Sequence, residues 1–344
     1  MARTLLVCLM YLTVLAGLAV AADRVIAQRV FADPGELVPA YRSFQEPSVG
    51  VKLHDFEQTD GKLDMLILGN SRTLFDVQPQ RVDTILSRNG IEQRSFNLAM
   101  PTVDVRFWPP FLTDYYDRPA PKQLLLGVIP RDLDVRNVAA QTEQEAFFAS
   151  PGFENHDRSG LWRGAEEALS QLFTLRGRLN EVRRVGLRGV LRGQRLDPAQ
   201  VDISGRGWGQ FAPGVAPDKQ VLTDERRADH DDKGEILVGK DQIAALRGLD
   251  TWIRARGGCL TLFSTPLLYD RDGWGSEAVR RDFVRTMRDF VRTNRHVRFL
   301  DVGANTAKGY TLTDFSDGDH LAPSGARKFS RKLADALAEQ PRGC

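Results

Sequence analysis

Residues 67–74 read Ile-Leu-Gly-Asn-Ser-Arg-Thr-Leu, and Ser71 is the residue there that could do chemistry. A Ser hydroxyl is a weak nucleophile until a base comes within hydrogen-bond reach. The far end of the chain offers one. His320 stands three residues after Asp317 in the stretch Asp-Phe-Ser-Asp-Gly-Asp-His. A carboxylate at that spacing in a loop can reach the Nδ1 hydrogen of the imidazole, set its tautomer and steady the imidazolium formed in acyl transfer. The expectation is a triad, with Ser71 as nucleophile, His320 as general base and Asp317 orienting the base. Its chemistry would be acyl-ester cleavage or acyl transfer through an acyl-enzyme. The amide of Ser71, at the start of a helix, is a candidate oxyanion donor. Arg72 either holds a substrate carboxylate or pairs with a nearby acid. Asp132 is grouped with Arg72 as a substrate-binding candidate, and Asp319 reads as structural or solvated. The plainer alternative is that Gly69–Ser71 is an ordinary chain reversal.

For the triad to form, the elements around it must bring two distant loops together. Five apolar runs read as buried strands: Met65–Leu68, Ser95–Leu98, Gln123–Val128, Cys259–Ser264 and Val297–Val302. Between them, helical spacing runs over Pro79–Asn89, Asp241–Arg256, Ser276–Arg295 and Ser324–Leu337. Alternating strands and helices predict an α/β fold. The expected form is a three-layer α/β/α sandwich around a five-stranded parallel, flavodoxin-like sheet. Sites in such sheets lie beyond the carboxyl ends of the strands, where Ser71 falls.

Residues 138–235 interrupt the alternation and are too long for a simple loop. They predict a helical and loop insertion. Residues 172–196 hold seven Arg, which reads as a solvated lid face or as a basic face for lipid or anionic glycan. The Gly- and Pro-rich stretch after Gly205 predicts a loop, with Trp208 and Phe211 stacking on a sugar or pinning that loop down. Residues 224–235, around His230, predict a solvated linker.

Residues 5–22, Leu-Leu-Val-Cys-Leu-Met-Tyr-Leu-Thr-Val-Leu-Ala-Gly-Leu-Ala-Val-Ala-Ala, carry no charge. They predict a signal peptide or a membrane anchor, and either sends the remainder across a membrane. The chain has 344 residues, 42% of them apolar, so it can bury a full core. A net charge of +2 gives no general argument for nucleic-acid binding. The five His are scattered and form no spaced set with Cys of the kind zinc requires. No metal or cofactor is expected. Three scattered Cys make a poor disulfide framework.

Gly69-Asn70-Ser71 after the first strand, together with Asp317-Gly-Asp-His320 before the last helix, resembles the first and last blocks of the SGNH hydrolases, also called the GDSL-like family. The stretches Leu-Gly-Asn-Ser-Arg-Thr-Leu-Phe-Asp-Val-Gln-Pro, Ser-Phe-Asn-Leu-Ala-Met-Pro and Asp-Gly-Asp-His-Leu-Ala-Pro-Ser-Gly-Ala-Arg-Lys-Phe-Ser are similar to membrane-associated members linked to cell-envelope polysaccharide acylation. The resemblance covers about 64–135 and 258–338. It implies an extracytoplasmic serine esterase or O-acyltransferase acting on acyl esters of a cell-surface glycan, with envelope proteins as further partners. The chain departs from the pattern in two places. The second block lacks its Gly, and Asn97 or an amide near Thr102 would have to serve the oxyanion. The third block lacks its Asn and has Asp132. These departures sustain a rival expectation, a catalytically inactive SGNH-fold envelope protein that binds glycan or a partner protein. The expected organisation is a signal or anchor at 1–22, a lead-in at 23–63, and a hydrolase-like domain at 64–340 with the insertion 138–235.

Overall fold

The computed structural model describes residues 2–30, 47–154, 161, 164–165, 168–169, 172–177, 201–211, 236–266, 277–303, 309–317 and 319–340. Residues 178–196 of the basic stretch and the cluster 224–235 lie outside them. Two compact units form. The first is Met1–His54 with Ala146–Gln200, and the second is Asp55–Glu145 with Val201–Cys344.

In the second unit, β1 (Met65–Leu68), β2 (Ser95–Asn97), β3 (Gln123–Val128), β6 (Cys259–Ser264) and β7 (Arg298–Leu300) form one parallel sheet in the order β2-β1-β3-β6-β7. The order reverses direction at β1, so the carboxyl ends of β1 and β3 flank the switch point. Every residue of β1, β2 and β6 is buried, and β1 accordingly reads as a continuous apolar run rather than an alternating one. One face carries Met65, Ile67, Leu125 and Phe263. It packs against Val82 and Leu86 of α4 (Pro79–Arg88) and against Phe329, Leu333 and Leu337 of α10 (Pro323–Ala338). The pleat sends Leu66, Leu68, Leu124, Leu126 and Leu262 to the other face, where they are equally buried. There α5 (Trp108–Asp114) packs on α8 (Lys240–Arg254), and α8 on β6. Helix α9 (Glu277–Thr293) packs on β7. The chain is therefore an α/β protein with a five-stranded parallel sheet flanked by helices.

The excursion between β3 and α8 leaves and returns through one narrow place. Val135 N donates to Leu237 O at 3.0 Å, and Gly239 N to Leu133 O at 3.0 Å. Asp134 is buried between them and accepts from Arg136 N at 2.8 Å and Leu237 N at 3.2 Å. Within the excursion, residues 201–211 are not a loop. Strands β4 (Val201–Ser204) and β5 (Trp208–Phe211) form an antiparallel hairpin. All three residues of its turn, Gly205, Arg206 and Gly207, have positive φ, and a Cβ on Gly207 would overlap the Asn97 carbonyl.

The first unit contains α1 (Ala2–Val30), whose residues Val7–Gln28 have a mean hydropathy of 1.7 and are long and apolar enough to cross a membrane. Twenty-two residues at a rise of 1.5 Å span about 33 Å, close to the hydrocarbon thickness of a bilayer. Cys259 is disulfide-bonded.

Candidate active site

The nucleophile turn is built by close approach. Gly69 ends β1 with φ +148°, and a Cβ there would overlap the Thr73 side chain. Gly127, in the neighbouring strand β3, would collide with the same side chain. Two glycines on adjacent strands thus let α3 (Ser71–Asp76) lie directly on the sheet, with Thr73 as the wedge between them. Asn70 caps α3, its Oδ1 accepting from Arg72 N at 3.0 Å. Its Nδ2 donates to both carboxylate oxygens of Asp132, at 2.8 and 3.0 Å. Asp132 lies at the end of β3 in α6 (Pro130–Leu133) and also accepts from Ile129 N at 3.0 Å. The ends of β1 and β3 are thereby joined beneath Ser71.

Ser71 Oγ lies 2.9 Å from His320 Nε2. His320 Nδ1 is 2.8 Å from Asp317 Oδ2 and 3.0 Å from Oδ1. Asp317 Oδ1 also accepts from the amides of Asp319 and His320, each at 2.7 Å. Burial pushes the Asp317 carboxyl up, but the hydrogen bond and charge of His320 and the Asp319 amide outweigh it. The net effect holds the group below its ordinary value. This arrangement can accept a proton from Ser71 at Nε2 while the carboxylate stabilises the imidazolium at Nδ1.

Two further bonds fasten α3 to the His320 loop, and a third ties the start of α4 to α10. Arg72 Nη2 meets Asp319 Oδ1 at 2.5 Å, with both side chains almost fully buried. Leu321 N donates to Asp76 Oδ1 at 3.1 Å, and Gln78 N to Ser330 Oγ at 2.9 Å. Burial raises the Asp76 carboxyl well above its ordinary value, against the Leu321 amide and the Arg72 charge. The imidazole is walled by Phe75 and Phe211, with ring centroids at 4.7 and 5.6 Å. Phe211 arrives on the hairpin, which Trp208 pins by donating from Nε1 to Phe75 O at 2.7 Å.

The structure thus brings Ser71, Asp317 and His320 together and redirects the other expected site residues. Arg72 is paired with Asp319 in the interior, the second of its two expected roles. Asp132 is buried under the turn and bonded to Asn70. Asn97 is fully buried, and its Nδ2 donates to Thr73 O at 2.9 Å and Val77 O at 2.8 Å. Its side chain ties β2 to the end of α3 and has no donor left for an oxyanion. Thr102 is exposed, with φ +53°, a strained conformation for a β-branched residue. Its loop reaches the nucleophile turn, where Met100 N donates to Gly69 O at 3.0 Å. Phe75, Asp76 and the capping role of Asn70 escaped the sequence reading. Of these, Asn70 carried a usable signal, an Asn just before a helix start.

No family model and no curated protein matches the sequence. Among solved structures, the chain is similar to the lipase Lip_vut3 from a goat rumen metagenome, at 12% identity and a TM-score of 0.41, over 82% of this chain and 99% of that one. It is also similar to a putative platelet activating factor from Streptococcus pneumonia, at 11% identity and a TM-score of 0.43, over 85% of this chain and 92% of that one.

Proposed function

We propose that this protein is a serine esterase or O-acyltransferase that works at Ser71 on acyl esters of a cell-surface glycan, outside the cytoplasm. The observation that carries the reading is the unbroken hydrogen-bonded line from Ser71 Oγ through His320 to Asp317, at 2.9 and 2.8 Å. Ser71 Oγ attacks the acyl carbonyl carbon as its proton passes to His320 Nε2, and the carbonyl oxygen becomes an oxyanion. The amides of Ser71 and of the Thr102 loop are the proposed oxyanion donors. The bond from the acyl carbon to the leaving oxygen then breaks, and His320 returns the proton to that oxygen. Water, or a sugar hydroxyl, attacks the acyl-enzyme carbonyl and gives its proton to His320; the bond from the acyl carbon to Ser71 Oγ then breaks, and His320 returns that proton to Oγ. Water makes the protein an esterase and a sugar makes it a transferase; the same groups serve both outcomes.

The apolar helix α1 supports attachment to, or passage through, a membrane. The disulfide at Cys259 supports an oxidising compartment. One observation favours the non-catalytic rival: Asn97 is consumed by the fold, so no expected side chain serves the oxyanion. A fluorophosphonate probe decides between the two. We expect covalent labelling that disappears in Ser71→Ala while the circular dichroism spectrum is unchanged. Folded wild-type protein that takes no label would sink the esterase reading.

A further inference from the structure

A concave site whose lining includes no triad residue lies on the face where α4 and α10 pack together. It is a cleft of about 480 Å³, within the range of small-molecule sites. Five of its eight lining residues are cations: Arg81 on α4, and Arg327, Lys328, Arg331 and Lys332 on α10. None of the eight is a carboxylate, and none is aliphatic. Like charges one turn apart on a helix repel, so gathering them costs stability that a bound anion would offset. Arg81 is held in place by its Nε, which donates to Arg327 O at 3.1 Å. At the edge, Lys328 is balanced by Asp314 at 2.7 Å. The Tyr310 hydroxyl in the wall is shut off from solvent and has no hydrogen-bond partner. Burial, together with the charges of Asp76 and Asp314, raises its pKa, so it stays a neutral hydroxyl.

We propose that this cleft is a subsite for a sugar bearing an oxyanion, a carboxylate or a phosphate. Guanidinium groups match such planar or tetrahedral oxyanions through paired hydrogen bonds. Ser324 adds a neutral hydroxyl suited to a polyhydroxylated ring. A lining without aliphatic side chains gives an acyl tail nothing to pack on, so a lipid fits the cleft less well than a sugar does. The choice of a sugar rests on the glycan-ester reading, whereas the anion chemistry stands without it.

The test is titration of the full-length protein in detergent with glucuronate, glucose 6-phosphate, glucose and inorganic phosphate, followed by calorimetry. Ser71 labelling is measured on the same samples. Glucuronate or glucose 6-phosphate should bind and glucose should not. Arg327→Gln/Arg331→Gln should weaken that binding at least tenfold and leave labelling intact. The equally discharged Arg88→Gln/Arg288→Gln should bind as wild type does. Binding that persists in Arg327→Gln/Arg331→Gln, equal binding of glucose, or no binding of either charged sugar overturns the subsite. So does inorganic phosphate binding as tightly as glucose 6-phosphate, which would make it a phosphate site. Phosphatidylglycerol vesicles bound by wild type but not by Arg327→Gln/Arg331→Gln, with both sugars silent, would assign the cleft to a lipid surface. Lost labelling with sugar binding retained refutes the esterase and spares the cleft.

Discussion

Ser71 and His320 are positioned by groups buried in the interior. Arg72 and Asp319 form an ion pair at the base of the site, and removing one partner strands the other's charge in the interior. Arg72→Met or Asp319→Leu alone should cost about 3–5 kcal/mol in urea unfolding, and the two together less than either single change. Asp317→Asn keeps the shape but removes the charge that steadies the imidazolium. Turnover of p-nitrophenyl acetate should fall by about 10²–10⁴-fold, while His320→Ala should abolish it. Asp132 titrates in an accessible range, because burial lifts its carboxyl to about 7, against the Ile129 amide and the Asn70 hydrogen bond. The folded state therefore holds this proton more tightly than the unfolded chain. That stabilisation is complete below the unfolded carboxylate value near 4 and is lost as pH rises through about 7. Its steepest slope is about 1.4 kcal/mol per pH unit. Asp132→Asn should flatten stability between pH 4 and 7 when unfolding is followed across that range. Asp317 works in the opposite sense, contributing above the unfolded value and losing its contribution as acid protonates it.

At the scale of elements, the seating of α3 depends on two glycines for different reasons. At Gly127 the only obstacle to a side chain is contact, mainly with Thr73. At Gly69 both contact and a φ of +148° oppose it. Gly127→Ala should therefore be partly rescued by Thr73→Ala, and Gly69→Ala should not, as thermal melts of the four variants will show. Strands β1 and β3 were readable because burial on both faces writes them as near-continuous apolar runs. The long helices were readable from the spacing of residues such as Phe329, Leu333 and Leu337. The hairpin was not readable. Gly205, Gly207 and Gly209 give its sequence the composition of a loop, and its strand character comes from tertiary contact. Asn97 N donates to Arg206 O at 3.0 Å, and Val201, Ile203 and Phe211 pack on Leu74, Phe75 and Ala99. The partners of Arg72 and Asp132 were not readable for a related reason. Residue type announces a charge, but the partner that absorbs it lies 247 residues away for one and 62 for the other.

Across the whole chain, the apolar flank of α1 is the feature with the plainest physical consequence. Val7, Leu9, Met10, Tyr11, Leu12, Val14, Leu15 and Leu18 are exposed, more apolar surface than one helix can leave in water without association. Full-length protein should sediment with membranes and remain there through alkaline carbonate washing. Recovery in the soluble fraction would show that the segment is removed. The bond between Ser71 and His320 closes a span of 249 residues. At ordinary rates of synthesis, roughly 5–20 residues per second, Ser71 precedes His320 by about 10–50 s. During that interval the Ser71 hydroxyl has no imidazole beside it, so under the proposed mechanism the growing polypeptide is chemically silent toward esters.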